Sequence, residues 1–218
     1  NFDRPLLREL ARKAPGTFNH SMTMGTIAET AAEKIGANSL LARVGAYYHD
    51  IGKTISPQSF VENQLNNQNL HENLAPDESV AMIVRHVNEG IELAKRYKLP
   101  QELIDFIPMH HGTTVSNYFY EKAKELYGEA KVDINDYRYP GPKPNTKETV
   151  IVMLADGCES AVRSIADPDA QKVENMINNI FNSRLKEGQL DEAPITFSDI
   201  TRMKEEFLSI LISQHHRR

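Results

Sequence analysis

The stretch Asn38–Lys53, NSLLARVGAYYHDIGK, combines a helix signal with two adjacent side chains that can do chemistry. Asn38 and Ser39 are residue types that cap helix N-termini, because their side chains accept hydrogen bonds from free backbone N–H groups. Apolar side chains then recur every three or four residues, as on the buried face of a helix; they are Leu40, Leu41, Val44, Tyr47, Tyr48 and Ile51. We therefore predict a helix that carries His49 and Asp50 near its end.

Helical spacing extends along most of the chain and predicts an all-α fold. Further helices are predicted over residues 4–13, 18–36, 76–94, 100–112, 150–165, 169–187 and 198–214, with Pro15-Gly16 as a break. Residues 137–146, YRYPGPKPNT, contain three prolines and a glycine, which exclude a helix and favour an ordered loop. Residues 56–74 are rich in Asn and Gln and predict a surface excursion. We find neither a repeat nor a linker, so residues 1–218 are expected to form one domain.

Composition excludes several classes of protein. The hydrophobic fraction of 40% and charged fraction of 25% are ordinary for a globular protein. The net charge of −5 argues against a partner that is polymeric nucleic acid. Cys158 is the only cysteine, so no internal disulfide can form, and it is predicted to be a small core residue. No apolar run is long enough to cross a bilayer, and the missing initiator methionine suggests a soluble piece of a longer protein.

Five histidines and two aspartates lie where they could face one interior. They are His20, His49, Asp50, His86, His110, His111 and Asp156. Each alone has an ordinary explanation, such as a core histidine or a buried acid paired with an arginine. Together they need many partners, because buried imidazoles and carboxylates are costly unless satisfied. A metal centre would satisfy them all.

The number of candidate ligands favours two ions. One octahedral ion offers about six positions, and a catalytic ion must leave some of them open. If Asp50 bridges two ions, seven side chains supply eight bonds, four to each ion. About two positions per ion then stay open for a shared hydroxide and a substrate oxygen, as in a hydrolase of phosphate esters.

These residues resemble the HD-domain metal-dependent phosphohydrolases. The pattern of a His, the His-Asp doublet and a distant Asp matches His20, His49-Asp50 and Asp156. His86 and the doublet His110-His111 are similar to the dinuclear branch, which includes the HD-GYP phosphodiesterases. The residues that follow, GTTVSNYFY, lack the Gly-Tyr-Pro signature of HD-GYP proteins.

The resemblance is stronger to the cytoplasmic HD domain of the seven-transmembrane HD proteins, which include bacterial cyclic di-AMP phosphodiesterases. It extends through PGTFNHS, AYYHDIGK, YRYPGPKP and ETVIVMLADGCESAVRS. It implies an HD helical bundle with an inserted ordered prolyl loop, at the cytoplasmic face of the bacterial membrane and attached through a region absent from this chain. The implied reaction is hydrolysis of cyclic di-AMP to linear pApA by a hydroxide that bridges two metals; a homodimer stays open.

The resemblance also implies a division of the metal ligands. His20, His49, Asp50 and Asp156 would bind one ion, and Asp50, His86, His110 and His111 the other. The implied metals are iron or manganese, and imidazole with carboxylate suits such ions better than a structural zinc site.

Other side chains are candidates for substrate contacts. Lys53 could bind a phosphate and, with Asp50, forms the expected catalytic pair; a solvated lysine is the alternative. Tyr137, Arg138 and Tyr139 could stack on a base or cover a pocket, although a rigid surface loop is the more ordinary interpretation. Arg85 is expected to point away from the site. His71, His215 and His216 are expected to be exposed to solvent.

Three alternative functions stay open. The chain could hydrolyse another nucleotide, such as cyclic di-GMP, pApA or a guanosine alarmone. It could be a module that senses a nucleotide without hydrolysing it, although a complete ligand set favours catalysis. A purely structural helical domain would leave the histidines unexplained.

Overall fold

Over residues 4–65 and 68–215 the regular structure is helical, as the sequence predicts, apart from an isolated bridge between Val115 and Arg138. The computed structural model describes residues 4–65 and 68–215, except for the side chain of His215. The α-helices are α1 Pro5–Lys13, α2 Pro15–Lys34, α3 Ser39–Tyr48, α4 Pro76–Arg96, α5 Gln101–Ile104, α6 Phe106–Met109, α7 Asn117–Tyr127, α8 Lys147–Arg163, α9 Ala170–Lys186 and α10 Phe197–His215. Short 3-10 turns lie at Ile51–Thr54, Pro57–Ser59, Val61–Asn63, Leu70–Asn73, Glu129–Lys131 and Ile134–Tyr137.

Helix α3 begins where its cap predicts and ends just before the His-Asp doublet. The Asn38 side chain accepts a hydrogen bond from the backbone N–H of Leu41 at 3.0 Å. The last helical residue is Tyr48, and His49 is the C-cap. Asp50 then leaves helical geometry, with φ −114° and ψ 21°, before the turn Ile51–Thr54. The doublet therefore lies in the turn after the helix and not inside it.

The predicted break at Pro15-Gly16 is wrong, because these residues form the first turn of α2. Proline is well suited to the first helical position, since it has no N–H group to satisfy and its φ is already helical. The chain bends one residue earlier, at Ala14, which is the residue between α1 and the start of α2 at Pro15.

Three hydrophobic clusters hold the helices together. The main cluster joins α2, α3, α8, α9 and α10. The second cluster joins α1 to α4 and to the chain around α5 and α6. A small third cluster contains Val80, Phe119, Ala123 and Tyr137. The end of α3 reaches both larger clusters, because Ala46 belongs to the main one whereas Tyr48 and Ile51 belong to the second. His49 and Asp50 are thereby placed between them.

The short turns at Pro57–Ser59, Val61–Asn63 and Leu70–Asn73 of the predicted excursion pack back onto the fold, and one prediction about this segment is wrong. His71 is buried, not exposed, with 7% of its surface accessible. Its Nε2 is 2.8 Å from the backbone oxygen of Ser59, and its ring lies 5.4 Å from that of Phe119. A carbonyl oxygen and an aromatic ring thus surround His71. The polar residues next to it in the sequence indicate an exposed side chain instead. The predicted exposure of His216, and of the His215 side chain, falls outside the described residues.

The prolyl loop is ordered, as predicted, because it runs beside the segment that follows His111. The Ser116 N–H donates to the oxygen of Tyr137 at 2.7 Å. The Tyr139 N–H donates to Thr114 and the Gly141 N–H to Gly112, both at 2.9 Å. These backbone bonds fix the loop against the chain that carries the second histidine doublet.

Candidate metal centre

The structure gathers all seven predicted ligands into two groups that share Asp50. We call His20, His49, Asp50 and Asp156 the His20 group, and Asp50, His86, His110 and His111 the His86 group. Within each group, one ligand atom from every residue lies within 4.8 Å of the others. The geometry divides the residues as the resemblance implies, while metal binding by them stays a prediction.

Separate elements deliver these side chains. His20 comes from α2, His86 from α4 and Asp156 from α8. Both doublets lie just beyond a helix, after α3 and after α6 respectively. Neighbouring residues inside a helix diverge by about 100°, so two adjacent side chains would not face one centre there. The end of each helix removes that restriction.

Three of the histidine rings are fixed by the same kind of hydrogen bond, from Nδ1 to a backbone oxygen. The Nδ1 atom of His49 lies 2.5 Å from the oxygen of Ala46, and that of His110 lies 2.6 Å from the oxygen of Ile107. His86 makes the equivalent bond with Ile83. Because a carbonyl oxygen only accepts hydrogen bonds, each Nδ1 carries the proton and donates it. The Nε2 atom of each ring is the nitrogen that faces the centre.

The atoms that face the centre test whether cations fit. The Nε2 atoms of His49, His86 and His110 and the Oδ1 atom of Asp50 are buried without a hydrogen-bond partner in the described structure. The Nε2 of His110 lies 3.2 Å from that Oδ1. Buried imidazole nitrogens and carboxylate oxygens are unfavourable unless they have partners, and a cation between them would satisfy several at once. Imidazole and carboxylate donors in this arrangement fit divalent cations.

His20 is held by two carboxylates, of which sequence analysis identified only one. Its Nε2 is 2.8 Å from Asp156 Oδ1, and its Nδ1 is 2.7 Å from Glu159 Oε2. Burial favours the neutral ring, but the two carboxylates outweigh it and raise the pKa of His20 to about 9. Glu159 follows Asp156 by three residues in α8, so the two share a helix face. That spacing is the signal that could have identified Glu159.

Both carboxylates of the centre stay ionised at neutral pH. Burial opposes the charge of Asp50, but His49, Lys53 and His110 hold its pKa well below the ordinary value. His20 and His49 do the same for the pKa of Asp156. The anionic forms are the ones that bind metal ions.

Lys53 lies inside the site and not in solvent. Its Nζ is 3.2 Å from Asp50 Oδ2 and 2.8 Å from Glu62 Oε1, and it lies 4.6 Å from the centre of the Phe60 ring. Burial disfavours the ammonium, but Asp50 and Glu62 outweigh it and raise the pKa of Lys53. Glu62 comes from the excursion, where sequence analysis found no functional residue.

The three candidates in the prolyl loop have different environments. Tyr139 stacks on His111, with ring centres 3.8 Å apart and planes within 3°. Arg138 donates to the oxygen of Thr113 and to Asn135, each at 3.1 Å. Tyr137 is 4% exposed and belongs to the third cluster. A tyrosine buried in this way has no free face for a base, so the structure argues against Tyr137 as a substrate contact.

Two further side chains lie where the sequence places them. Cys158 is fully buried in the main cluster, and burial raises the pKa of its thiol. Arg85 is exposed, whereas its neighbour His86 is buried.

Comparison with known proteins gives one family and close relatives. The family model described as HD domain matches residues 17–161. The chain is 45% identical over 218 residues to the cyclic-di-AMP phosphodiesterase PgpH of Listeria monocytogenes serotype 1/2a (strain 10403S), and 41% identical over 218 residues to the protein of the same name in Bacillus subtilis (strain 168). In both cases the match covers 100% of this chain and 30% of the relative, so the chain spans under a third of their length.

A solved structure agrees over nearly the whole chain. It is the L. monocytogenes phosphodiesterase PgpH HD domain in complex with cyclic-di-AMP. The TM-score is 0.95 at 45% identity, and the match covers 98% of this chain and 99% of the other.

Proposed function

This chain belongs to the HD domain family, and from that premise we propose that it is a metal-dependent phosphodiesterase that hydrolyses cyclic di-AMP to linear pApA. The observation that carries the proposal is the pair of ligand groups joined at Asp50. Support for the substrate comes from the relatives named cyclic-di-AMP phosphodiesterase and from the similar HD domain in complex with cyclic-di-AMP.

We propose that the His20 group and the His86 group each hold one divalent cation, iron or manganese. When bound, the two cations would lower the pKa of a shared water molecule and neutralise charge that builds up on the phosphoryl oxygens. Asp50 can serve both groups, because it is ionised and its two oxygens face different histidines: Oδ2 is 3.2 Å from His49 Nε2 and Oδ1 is 3.2 Å from His110 Nε2.

The remaining residues hold and shield the reactants. In the reaction the oxygen of water joins phosphorus in line with the leaving sugar oxygen, which departs with a proton. Lys53 keeps its ammonium charge beside Asp50 and would bind a phosphate oxygen. The Tyr139 ring covers one face of His111 and fixes its orientation.

The proposal predicts activity and metal content together. The chain, purified anaerobically, should contain about two metal ions and should convert cyclic di-AMP to pApA faster than it hydrolyses cyclic di-GMP. Asp50→Ala should abolish turnover and lower the metal content, because both groups lose a ligand. Asp136→Ala, which removes an exposed aspartate, is the matched control.

Each alternative has its own outcome in this assay. Tight binding of cyclic di-AMP without hydrolysis would favour the sensing module, and faster turnover of cyclic di-GMP would favour the other substrate. Full activity with one metal per chain would rule out the two-cation mechanism. An Asp50→Ala variant as active as Asp136→Ala would contradict the role of Asp50.

We further propose that residues 1–218 act as one domain at the cytoplasmic face of a bacterial membrane. The main cluster supports one domain, because it extends from Met24 in α2 to Leu211 in α10. The location follows from the resemblance to the seven-transmembrane HD proteins. Within residues 4–65 and 68–215, no helix has the length and apolar character to cross a bilayer. A homodimer stays a prediction.

A further inference from the structure

We propose that Glu62 is a positioning residue for this reaction: it holds the Lys53 ammonium where a substrate phosphate can reach it and keeps Lys53 from occupying Asp50. The inference rests on the proposed function, because it takes Lys53 as the phosphate contact. It assigns a role in the proposed hydrolysis to Glu62, a residue of the predicted excursion.

The Lys53 ammonium lies between two carboxylates, and only one of them belongs to the candidate metal centre. Asp50 Oδ2 is 3.2 Å from Nζ, and Glu62 Oε1 is closer, at 2.8 Å. Asp50 is the member common to both ligand groups. An ammonium paired with Asp50 alone would compete with a cation for the same oxygen. Glu62 provides a second anion that is not part of either group, so Lys53 can be held without that competition.

Glu62 is itself fixed by the helix that carries His20. The Thr17 hydroxyl donates to Glu62 Oε1 at 3.1 Å. The Thr17 N–H donates to Asn63 Oδ1 at 3.1 Å, and Asn63 Nδ2 donates back to the Thr17 hydroxyl at 2.8 Å. We call Thr17, Glu62 and Asn63 the latch. Thr17 is fully buried and precedes His20 by three residues, so the latch ties the excursion directly to a metal-ligand helix.

Gly16 allows this close approach. A Cβ atom at Gly16 would lie 1.9 Å from the backbone oxygen of Glu62 and 2.6 Å from its carbonyl carbon. Any side chain at this position would therefore push the backbone of the excursion away from α2. This close contact brings Glu62 within hydrogen-bond range of both Thr17 and Lys53.

A positioning role and a structural role of Glu62 predict different results for a neutral substitution. Glu62→Gln keeps the shape of the side chain and an oxygen for Thr17, but removes the charge that holds Lys53. A purely electrostatic effect would favour anion binding, since a negative charge near the anion is lost. Loss of the positioning contact would instead weaken anion binding, because Lys53 is then drawn to Asp50 and away from the anion.

The test is a double-mutant cycle on the Mn²⁺-loaded chain, with inorganic phosphate as the probe of the Lys53 site and cyclic di-AMP as the substrate. Lys53→Met should weaken phosphate binding about tenfold, as for a lost hydrogen bond between charged groups. At saturating Mn²⁺, which keeps both ligand groups filled, Glu62→Gln should weaken phosphate binding and raise the KM for cyclic di-AMP by about threefold to tenfold. Combined with Lys53→Met, Glu62→Gln should weaken phosphate binding no further. Glu72→Gln, an exposed acid of the same excursion, is the control and should match the parent chain.

The outcomes separate this inference from the proposed function. Multiplicative effects of the two substitutions, or tighter phosphate binding in Glu62→Gln alone, would each overturn the positioning role. If the parent chain fails to hydrolyse cyclic di-AMP but the phosphate cycle shows the expected coupling, the proposed substrate is wrong and the role of Glu62 stands.

Discussion

The imidazoles of His49, His86 and His110 are oriented by the backbone alone. Each Nδ1 donates to the carbonyl of the residue three positions earlier, so each ring is fixed by its own segment of chain. A metal-binding histidine commonly uses its second nitrogen in this way, which sets both the tautomer and the direction of the free nitrogen. The Nε2 atoms therefore face the centre in a direction that each segment of chain fixes for itself.

His20 uses a carboxylate for the same purpose, which makes Glu159 the subject of a prediction. Glu159→Gln should weaken metal binding by the His20 group about tenfold to a hundredfold, because the bond of 2.7 Å to His20 Nδ1 loses its charge. The measurement is metal retention during competition with a chelator. Glu174→Gln, an exposed glutamate of α9, is the control. Equal retention by both variants would contradict an orienting role for Glu159.

The turn Ile51–Thr54, which follows Asp50, contacts α4, the helix that carries His86. This contact determines how far Asp50 lies from His86. A Cβ atom at Gly52 would lie 1.8 Å from the backbone oxygen of His86 and 2.8 Å from the N atom of Gly90. The turn after the His-Asp doublet is therefore in direct backbone contact with the helix that carries His86. This contact brings Asp50 within 3.5 Å of His86, measured from Oδ1 to Nε2.

Gly52→Ala should therefore affect both stability and the metal centre. The added methyl group forces the turn and α4 apart, which should lower the free energy of unfolding by about 1–3 kcal/mol, as for an overpacked core. Metal should also be lost from the His86 group. Urea unfolding and metal analysis are the measurements.

Gly36→Ala is the comparison for this variant, because φ at Gly36 is +70° but nothing lies within 4 Å of an added Cβ atom. It should be destabilised by backbone strain alone and keep its metal. Equal metal content in the two variants would show that the contact at Gly52 does not set the geometry of the centre.

Sequence patterns predict the elements well where the signal is local. The cap at Asn38, the start of α4 at Pro76 and the extent of α9 follow from short-range chemistry, and all are present in the structure. The roles of Glu62 and His71 could not be predicted, because both depend on contacts across the fold and their segment has no periodicity. The grouping of the seven candidate ligands was easier to predict, since buried histidines and aspartates need partners.

For the whole molecule, the two ligand groups draw their side chains from helices and turns that meet only in the folded chain. Cations that bind the folded chain should therefore stabilise it. At a Mn²⁺ concentration about 100 times the Kd, each bound cation adds about 2.7 kcal/mol. For a chain of this size, each cation should therefore raise Tm by about 5–10 °C.

Differential scanning calorimetry with and without Mn²⁺ measures this shift. Asp50→Ala should reduce the shift strongly, because it removes a ligand from both groups. A chelator should reverse it in the parent chain. An equal shift in Asp50→Ala would mean that Mn²⁺ stabilises the fold from another site.

The order of the ligands along the chain also determines when the centre can form during biosynthesis. The His86 group is complete once residue 111 has been made, whereas the His20 group must wait for Asp156 in α8. A nascent chain released by the ribosome only as far as the prolyl loop contains every residue of one ligand group but not of the other. Because a domain generally folds as a unit, neither ligand group can be held in its final geometry until α8 has emerged and joined the main cluster. The last helix to supply a ligand therefore also decides when the centre can be completed.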